Sequence, residues 1–320
     1  MTNRHFSGKG RRRFLAMAAG GAVMASRTGS AGLAALALSP WSGGSAQAAI
    51  ASDRATARPS RVVVIGGAVC ECVYALDASS VLVGGDITCR FPEAAMALPK
   101  IGYERSLSAE GILSLRPDLV LHSGEAGPPT VFSQLHGAGV TLVGMPDRHD
   151  AENVRAMIRL TAQALDVAPR GTALLARFDA QWHDAEVAVQ QAVSARRSGP
   201  VRAVFVMANG GSAPMLAGGH TAAEAMLRLA GAENAISGFS GYRPATPEAL
   251  LAAAPDVIVT TQDALGAAGG AQRFLAQPGF AQTPAARAQR VLAFDTLLLL
   301  GFGPRLPQAV TALAEGLHRA

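Results

Sequence analysis

The sequence predicts an α/β fold with two similar lobes, each built on a mainly parallel sheet, and a long helix between them. Three observations lead to this prediction. Short apolar runs of β-branched residues alternate with helical stretches, the middle of the chain has no strand pattern, and one sequence pattern occurs twice. Alternation of strands and helices is typical of βα units and therefore of parallel sheets.

The first 48 residues are predicted to be an export signal of the twin-arginine type. Residues 11–15 read Arg-Arg-Arg-Phe-Leu, a weakly apolar stretch rich in Ala and Gly follows, and residues 46–48 read Ala-Gln-Ala, a small-x-small cleavage site. The alternative is a transmembrane anchor, which needs about 20 uninterrupted apolar residues. Because Arg27 and Pro40 interrupt this stretch, we expect export to the periplasm.

The charge of the chain comes from its export signal. Six of the 28 lysines and arginines lie in residues 1–48, which contain no acidic residue, so 22 basic residues remain against 23 acidic ones. The mature chain is therefore close to neutral and has no basic excess that would favour nucleic acid as a partner.

The mature chain divides into four predicted segments. Buried strands are predicted at 61–65, 81–83, 119–121 and 140–143, and again at 201–207, 256–260 and 290–294, with a helix at 221–229. Residues 172–196 consist mostly of good helix formers and predict one long helix. The expected segments are a flexible start at 49–60, a first lobe at 61–168, a linking helix at 169–198 and a second lobe at 199–320.

The repeated pattern relates the two lobes. Residues 108–121 (Ser-Ala-Glu-Gly-Ile-Leu-Ser-Leu-Arg-Pro-Asp-Leu-Val-Leu) align with residues 246–259 (Thr-Pro-Glu-Ala-Leu-Leu-Ala-Ala-Ala-Pro-Asp-Val-Ile-Val). Each copy starts with a Ser or Thr helix N-cap, carries a glutamate in the first helical turn and ends in Pro-Asp before an apolar strand. A Gly-Tyr pair precedes each copy, so the two lobes are expected to present equivalent loops.

The three cysteines of the mature chain leave two interpretations open. In an oxidising compartment Cys89 would form a disulfide with either Cys70 or Cys72, which are themselves too close in sequence for an ordinary bridge. The alternative is a Cys-x-Cys metal site, for which the sequence offers no second pair of ligands at a suitable spacing.

Several segments resemble the haemin-binding periplasmic proteins of the HmuT type. These segments are 101–121, which begins Ile-Gly-Tyr-Glu-Arg-Ser-Leu, Gly-Pro-Pro at 127–129, Ala-Pro-Met-Leu-Ala-Gly at 213–218 and Leu-Leu-Gly-Phe-Gly-Pro-Arg at 299–305. The pattern of a glutamate followed by Pro-Asp-Leu-Val is shared with the wider group that binds iron-siderophores and cobalamin. Gly-Tyr-x-Arg and the C-terminal Gly-Phe-Gly-Pro-Arg are the more specific parts.

The resemblance implies a monomeric carrier that captures haem in a cleft between the lobes and delivers it to an ABC permease and its ATPase in the inner membrane. It also implies that one rigid backbone helix joins the lobes and permits only a small closure. A siderophore or cobalamin carrier is the alternative within this group.

Tyr103 is the candidate ligand of the haem iron. Ferric iron is a hard cation, tyrosinate is a known axial ligand of haem, and coordination must displace a proton from a phenol whose pKa is about 10. Arg105 would favour the phenolate through its positive charge. The alternative role of Arg105 is a surface ion pair with Glu104 or Glu110.

The equivalent loop of the second lobe supplies the remaining candidates. Arg243 could pair with a haem propionate, because a guanidinium binds a carboxylate in a two-pronged geometry. Tyr242 could stack on the porphyrin or supply a polar contact, and the alternative for both residues is a structural role. The resemblance implies that Glu110 and Glu248, one from each lobe, dock onto arginines of the permease. Their alternative role is a favourable charge at a helix N-terminus, worth about 0.3–1 kcal/mol.

Histidines are weaker candidates for the iron. Some relatives carry a histidine after the first strand of the second lobe that can serve a second haem, but this chain has Asn209 in the stretch Ala-Asn-Gly-Gly at 208–211. That difference puts a stacked pair of haems in doubt. His122, His149 and His220 are expected to be loop residues without a role at the iron.

An exported α/β enzyme is the alternative class of function. Gly-Gly-Ala at 66–68 follows a predicted strand, but it lacks the further glycines and the lysine of nucleotide-binding loops. The sequence contains neither G-x-S-x-G nor H-E-x-x-H. We therefore expect a binding protein without catalytic residues.

Overall fold

The computed structural model describes residues 58–197, 199–207 and 214–319. The predicted export signal and most of the segment predicted to be flexible lie outside these residues. Among the helices that are described, none is both long and apolar enough to cross a membrane.

The described chain alternates between strands and helices. The strands are β1 (Val62–Ile65), β2 (Leu82–Gly85), β3 (Gly102–Tyr103), β4 (Ser106–Leu107), β5 (Leu119–His122), β6 (Thr141–Gly144), β7 (Val201–Met207), β8 (Met215–Ala217), β9 (Ala232–Asn234), β10 (Tyr242–Pro244), β11 (Val257–Thr261) and β12 (Val291–Phe294). The α-helices are α1 (Gly67–Ala75), α2 (Ala109–Ser114), α3 (Pro129–Gly137), α4 (Ala151–Ala164), α5 (Ala168–Ala195), α6 (Ala222–Leu229), α7 (Pro247–Ala253), α8 (Gln262–Ala267), α9 (Ala271–Leu275), α10 (Pro284–Arg287), α11 (Thr296–Leu300) and α12 (Leu306–His318). Short 3₁₀ helices lie at Ser79–Val81 and Glu93–Ala97.

The first lobe contains a four-stranded parallel sheet in the order β2-β1-β5-β6. All four residues of β1 are buried, which explains why this strand is a continuous run of β-branched residues and not an alternating pattern. The strand predicted at 81–83 begins one residue later, because Val81 ends the preceding 3₁₀ helix. Outside this sheet, β3 and β4 form a small antiparallel hairpin.

The second lobe contains a six-stranded mixed sheet. Strands β7, β11 and β12 are parallel neighbours, and β9 also pairs with β7 in parallel. Antiparallel strands β8 and β10 extend the other edge. The short strands β8, β9 and β10 had no recognisable sequence pattern, but the predicted fold of two mainly parallel α/β lobes with a long helix between them is confirmed.

Helix α5 connects the two sheets. It has 28 residues, which corresponds to a length of about 42 Å at 1.5 Å per residue. Its buried face includes Phe178 and Trp182, whose rings stack at a centroid distance of 6.3 Å. Gly171 lies where α5 passes close to Ala162 of α4, so the helix is packed firmly on the first lobe. One continuous cluster of buried apolar side chains extends from β1 through α5 to α12.

The C-terminal Gly-Phe-Gly-Pro-Arg segment attaches the second lobe to the first. The Arg305 Nη2 atom donates to Oε2 of Glu71 in α1 at 2.8 Å, and its backbone N–H donates to Oε1 at 3.1 Å. The guanidinium also lies over the Phe91 ring at 3.5 Å from the centroid. The side chain of Glu71 is only 5% exposed, so this is a buried ion pair between the two lobes.

The repeated pattern folds similarly in both lobes, with one local difference. Thr246 caps α7 by accepting a hydrogen bond from the Ala249 N–H at 3.2 Å. Ser108 occupies the N-cap position of α2, as predicted, but its side chain accepts no capping hydrogen bond. The predicted capping by the serine hydroxyl is therefore wrong.

All three cysteines of the mature chain are free thiols in the structure, and all are buried. The thiol of Cys89 lies against that of Cys70 and against the carboxylate of Asp86, and burial and these neighbours raise its pKa. Burial also raises the pKa of Cys72 to about 12. The thiols of Cys72 and Cys89 are therefore protonated at neutral pH.

Candidate functional site

The candidate site lies where the loops that follow strands of both sheets meet. Gly67 follows β1 in the first lobe, and it closely approaches Leu297 of α11, which follows β12 in the second lobe. Ligands of open α/β sheets bind outside the carboxyl ends of the strands. In this protein such ends from the two lobes meet at this contact.

The hairpin of β3 and β4 presents Tyr103 at the wall formed by the first lobe. Tyr103 is 43% exposed. Gly102 before it has φ of 104°, a value that residues with a side chain rarely adopt. The Ile87 N–H donates to the Gly102 carbonyl at 2.9 Å and fixes the hairpin to the segment after β2.

Glu104 is the partly buried residue of the hairpin turn. Glu104 is more buried than its neighbours Tyr103 and Arg105 and accepts a hydrogen bond from the Ser123 hydroxyl at 3.2 Å. Burial raises the pKa of Glu104, and the negative charge of Asp86 raises it further. Glu104 and Arg105 form the two-residue turn of the hairpin, and Arg105, like Tyr103, is exposed.

Arg105 forms an ion pair with Glu125, a residue in the loop after β5. The predicted alternative partners, Glu104 and Glu110, are therefore wrong. The metal-ligating atoms of Glu125, Asp147 and His149 lie within 4.8 Å of one another, but these acidic side chains are exposed and Arg105 already neutralises Glu125. No cysteine belongs to this group, so nothing among the described residues supports the Cys-x-Cys metal site.

Tyr242 forms part of the wall supplied by the second lobe. It begins β10, pairs with Ala217 of β8 and follows Gly241, whose φ is 77°. Burial raises the pKa of Tyr242, and the positive charge of Arg105 acts in the opposite direction.

Arg243 follows Tyr242 and is exposed. Its guanidinium lies over the Phe239 ring at 4.8 Å from the centroid. This contact holds the side chain by a cation–π interaction and leaves its N–H groups available to an anion.

Glu110 and Glu248 lie at equivalent places in the two lobes. Both are exposed and both occupy the first turn of their helix, α2 and α7 respectively. They are not among the residues that make the ion pairs of the described chain, so both carboxylates are available to a partner.

The histidines have different environments. His122 is the last residue of strand β5, so the prediction that it lies in a loop is wrong. Its ring is packed against Phe132 at 4.2 Å, and burial lowers its pKa. His149 contacts Phe302 of the second lobe edge-on at 5.1 Å. His220 is an exposed residue with φ of 57°, and Asn209 lies outside the described residues.

Sequence reasoning missed two acidic residues that organise the site. Glu125 is separated from Arg105 by 20 residues, and only the fold brings them together. Asp86 is fully buried, accepts hydrogen bonds from the Gly66 N–H and the Thr88 hydroxyl, and fixes the loop after β2. The sequence Asp-Ile-Thr after a strand was the available signal for such a turn.

The chain resembles known binding proteins over most of its length. A family model described as "Periplasmic binding protein" matches residues 62–296. Among curated proteins, the uncharacterized ABC transporter substrate-binding lipoprotein YvrC of Bacillus subtilis is 26% identical over 262 residues, which are 81% of this chain and 80% of that protein.

Solved structures give higher identities. The periplasmic heme-binding protein BhuT, in complex with two hemes, is 54% identical, with 81% of this chain and 97% of that chain covered and a TM-score of 0.77. RhuT from Roseiflexus sp. RS-1, a periplasmic heme-binding protein in apo form, is 37% identical over 81% and 98% of the two chains with a TM-score of 0.76. A periplasmic heme-binding protein from Pseudomonas aeruginosa is 34% identical over 81% and 93%, with a TM-score of 0.72.

These similarities confirm the prediction of a transport-associated binding protein and not an enzyme, and they agree with a location outside the cytoplasm. Because the family model covers well over half of the chain, this protein belongs to the periplasmic binding protein family.

Proposed function

We propose that this protein captures haem in the cleft between its lobes and delivers it to an ABC permease. The observation that carries the proposal is the exposed phenol of Tyr103 beside a contact between the lobes. The next residue, Glu104, lies close to Gly66, and the neighbouring Gly67 closely approaches Leu297 of the second lobe. Relatives that are up to 54% identical are named as heme-binding proteins, which supports haem over a siderophore or cobalamin.

Tyr103 is the proposed ligand of the iron. Its side chain is exposed, while its backbone is held by the hairpin and by the bond from Ile87 to Gly102. A rigid backbone with an accessible phenol suits coordination, because little ordering remains to be done when the iron binds. The phenolate form suits ferric iron, a hard cation.

Arg105 is proposed to favour that phenolate. Its ion pair with Glu125 fixes the side chain at the hairpin turn, two residues after Tyr103. A fixed cation next to Tyr103 lowers the free energy of the deprotonated, iron-binding form.

Tyr242 and Arg243 are proposed to hold the other side of the porphyrin. Burial keeps Tyr242 protonated at neutral pH, so it acts as an apolar surface and hydrogen-bond donor and not as a second phenolate ligand. Arg243, held over Phe239, offers a planar guanidinium to a haem propionate.

Export and delivery complete the proposal. The leader at 1–48 directs export by the twin-arginine route, and the mature protein acts as a monomer. Glu110 and Glu248 are exposed, one on each lobe, and we assign them to docking on arginines of the permease. Each lobe then contributes one carboxylate to the same membrane partner and its ATPase.

The test is an absorption titration of the mature protein with ferric haemin. Wild type is expected to bind saturably with a high-spin, phenolate-type spectrum. Tyr103→Phe removes only the ligand oxygen and is expected to lose that spectrum and at least about tenfold in affinity, equivalent to about 1.4 kcal/mol. Tyr74→Phe is the control, because Tyr74 lies beside α5 and Arg305 and not at the hairpin.

Two outcomes would contradict parts of the proposal. Haemin binding that is unchanged in Tyr103→Phe would move the iron to a histidine or to Tyr242. Wild-type protein that does not bind haemin saturably would overturn the proposed ligand and favour a siderophore or cobalamin.

A further inference from the structure

One ion pair crosses the cleft next to the Tyr103 hairpin. The Arg90 Nη1 atom of the first lobe lies 3.6 Å from Oδ2 of Asp263 in the second lobe. Arg90 belongs to the segment after β2, which the Ile87-to-Gly102 hydrogen bond ties to the Tyr103 strand. Asp263 lies in the first turn of α8, directly after β11. The pair therefore joins the loops that form opposite walls of the proposed haem site.

This pair is weak by its geometry. The two side chains are 59% and 69% exposed, and their separation of 3.6 Å exceeds hydrogen-bond distance. Exposed pairs of this kind contribute about 0–1 kcal/mol and are screened by salt. The buried pair of Arg305 and Glu71, at 2.8 Å, attaches the same two lobes far more firmly, so Arg90 and Asp263 are not needed to hold the lobes together.

Arg90 is also the least constrained of the arginines placed around the cleft. Arg105 is held by Glu125, and Arg243 is stacked on Phe239. Arg90 is held only by the long contact with Asp263 in the described structure. Its guanidinium can therefore exchange one carboxylate for another at little cost.

We propose that Arg90 binds a haem propionate and that Asp263 occupies the same guanidinium when the cleft is empty. A propionate and an aspartate side chain present the same carboxylate group to an arginine, and a bidentate contact at hydrogen-bond distance is stronger than the long contact with Asp263. This inference rests on the proposed haem function and adds a specificity for carboxylate-bearing porphyrins. Asp263 competes with the ligand, so it slows entry and weakens binding.

The test compares ferric haemin with haemin dimethyl ester, in which both propionates are uncharged, by stopped-flow absorption and equilibrium titration. With haemin, Arg90→Ala is expected to weaken binding by about tenfold. Asp263→Asn is expected to tighten binding by about two- to fivefold, which corresponds to the full free energy of the exposed ion pair between Arg90 and Asp263. Both effects are expected to vanish with the ester.

A matched control and a double variant sharpen the test. Arg228 and Glu224 form an ion pair at 3.9 Å within α6 of one lobe, so Arg228→Ala and Glu224→Gln are expected to bind haemin as wild type does. In the Arg90→Ala background, Asp263→Asn is expected to give no gain in haemin affinity, because there is no longer a guanidinium for which Asp263 and the propionate compete.

Three results would overturn the inference. Haemin binding at wild-type strength in Arg90→Ala would show that Arg90 does not hold a propionate. If Asp263→Asn tightens haemin binding even in the Arg90→Ala background, Asp263 acts only by general charge repulsion of the propionates and not by competing for Arg90. If wild type fails to bind haemin at all, the proposed function itself fails and this inference fails with it.

Discussion

Replacing Arg305 by alanine is expected to destabilise the protein by about 3–5 kcal/mol, because it leaves the Glu71 carboxylate buried without its cation. Glu71 is 4% exposed and accepts two hydrogen bonds from Arg305, one from the guanidinium and one from the backbone. Alanine keeps the backbone donor but removes the charged bond, worth about 1.5–3 kcal/mol. It also removes the cation–π contact with Phe91, worth about 0.5–1 kcal/mol.

The assay is urea denaturation of the mature protein followed by tryptophan fluorescence. Of the two tryptophans, only Trp182 remains after removal of the leader, and it lies in α5 between the lobes. Arg155→Ala is the control, because Arg155 also lies over an aromatic ring, at 5.6 Å from the centroid of Phe178, but pairs with exposed carboxylates. We expect the control to lose about 1 kcal/mol or less.

A double replacement, Glu71→Met with Arg305→Met, is expected to recover most of the stability, because no unpaired charge remains in the buried site. If Arg305→Ala is no less stable than Arg155→Ala, the buried ion pair does not attach the lobes as described.

Three further predictions concern His122, the cysteines and Gly102. Burial lowers the pKa of His122, so the imidazole binds a proton more readily in the unfolded chain than in the folded one. The free energy of unfolding therefore falls as the pH drops through the unfolded pKa of about 6.5. His122→Gln should reduce that loss of stability between pH 7.5 and 5.5, as measured by urea denaturation. Since the three thiols are free and buried, a thiol reagent should label almost none in the native protein and three after denaturation. Gly102→Ala should cost about 1 kcal/mol or more through strain at its positive φ and should weaken haemin binding, whereas Gly111→Ala in α2 should not, as measured by denaturation and titration.

Each of these predictions has a contradicting result. The same acid sensitivity in His122→Gln as in a variant of the exposed His183 would mean that His122 is not the responsible group. One reactive thiol in the denatured protein in place of three would mean that a disulfide forms. Equal stability of the Gly102 and Gly111 variants would mean that the hairpin is not strained at Gly102.

The sequence predicted those parts of the fold that local patterns determine. Strands β1 and β11 are buried throughout, and β5 and β7 are mostly buried, so each contains a run of at least three apolar residues. The linking helix α5 consists of strong helix formers over many turns. The repeated Gly-Tyr pairs reflect a shared backbone requirement, since Gly102 and Gly241 both have positive φ.

What the sequence could not predict depends on distant partners. Strand β10 forms because β8, about 25 residues earlier, pairs with it. Strands of three residues are too short to show a hydrophobic periodicity in the sequence. Arg105 has nearby glutamates in sequence, but the fold turns Glu104 inward and brings Glu125 to it. The pair of Glu71 and Arg305 spans 234 positions, so no local rule could identify it.

The most direct test of the central claim is a crystal structure of the mature protein grown with ferric haemin. We expect porphyrin between the Tyr103 hairpin and Tyr242, with an iron bonded to the Tyr103 phenolate oxygen and a propionate on Arg90 or Arg243. Haem bound outside the cleft, or within it with the iron on another residue, would contradict the account.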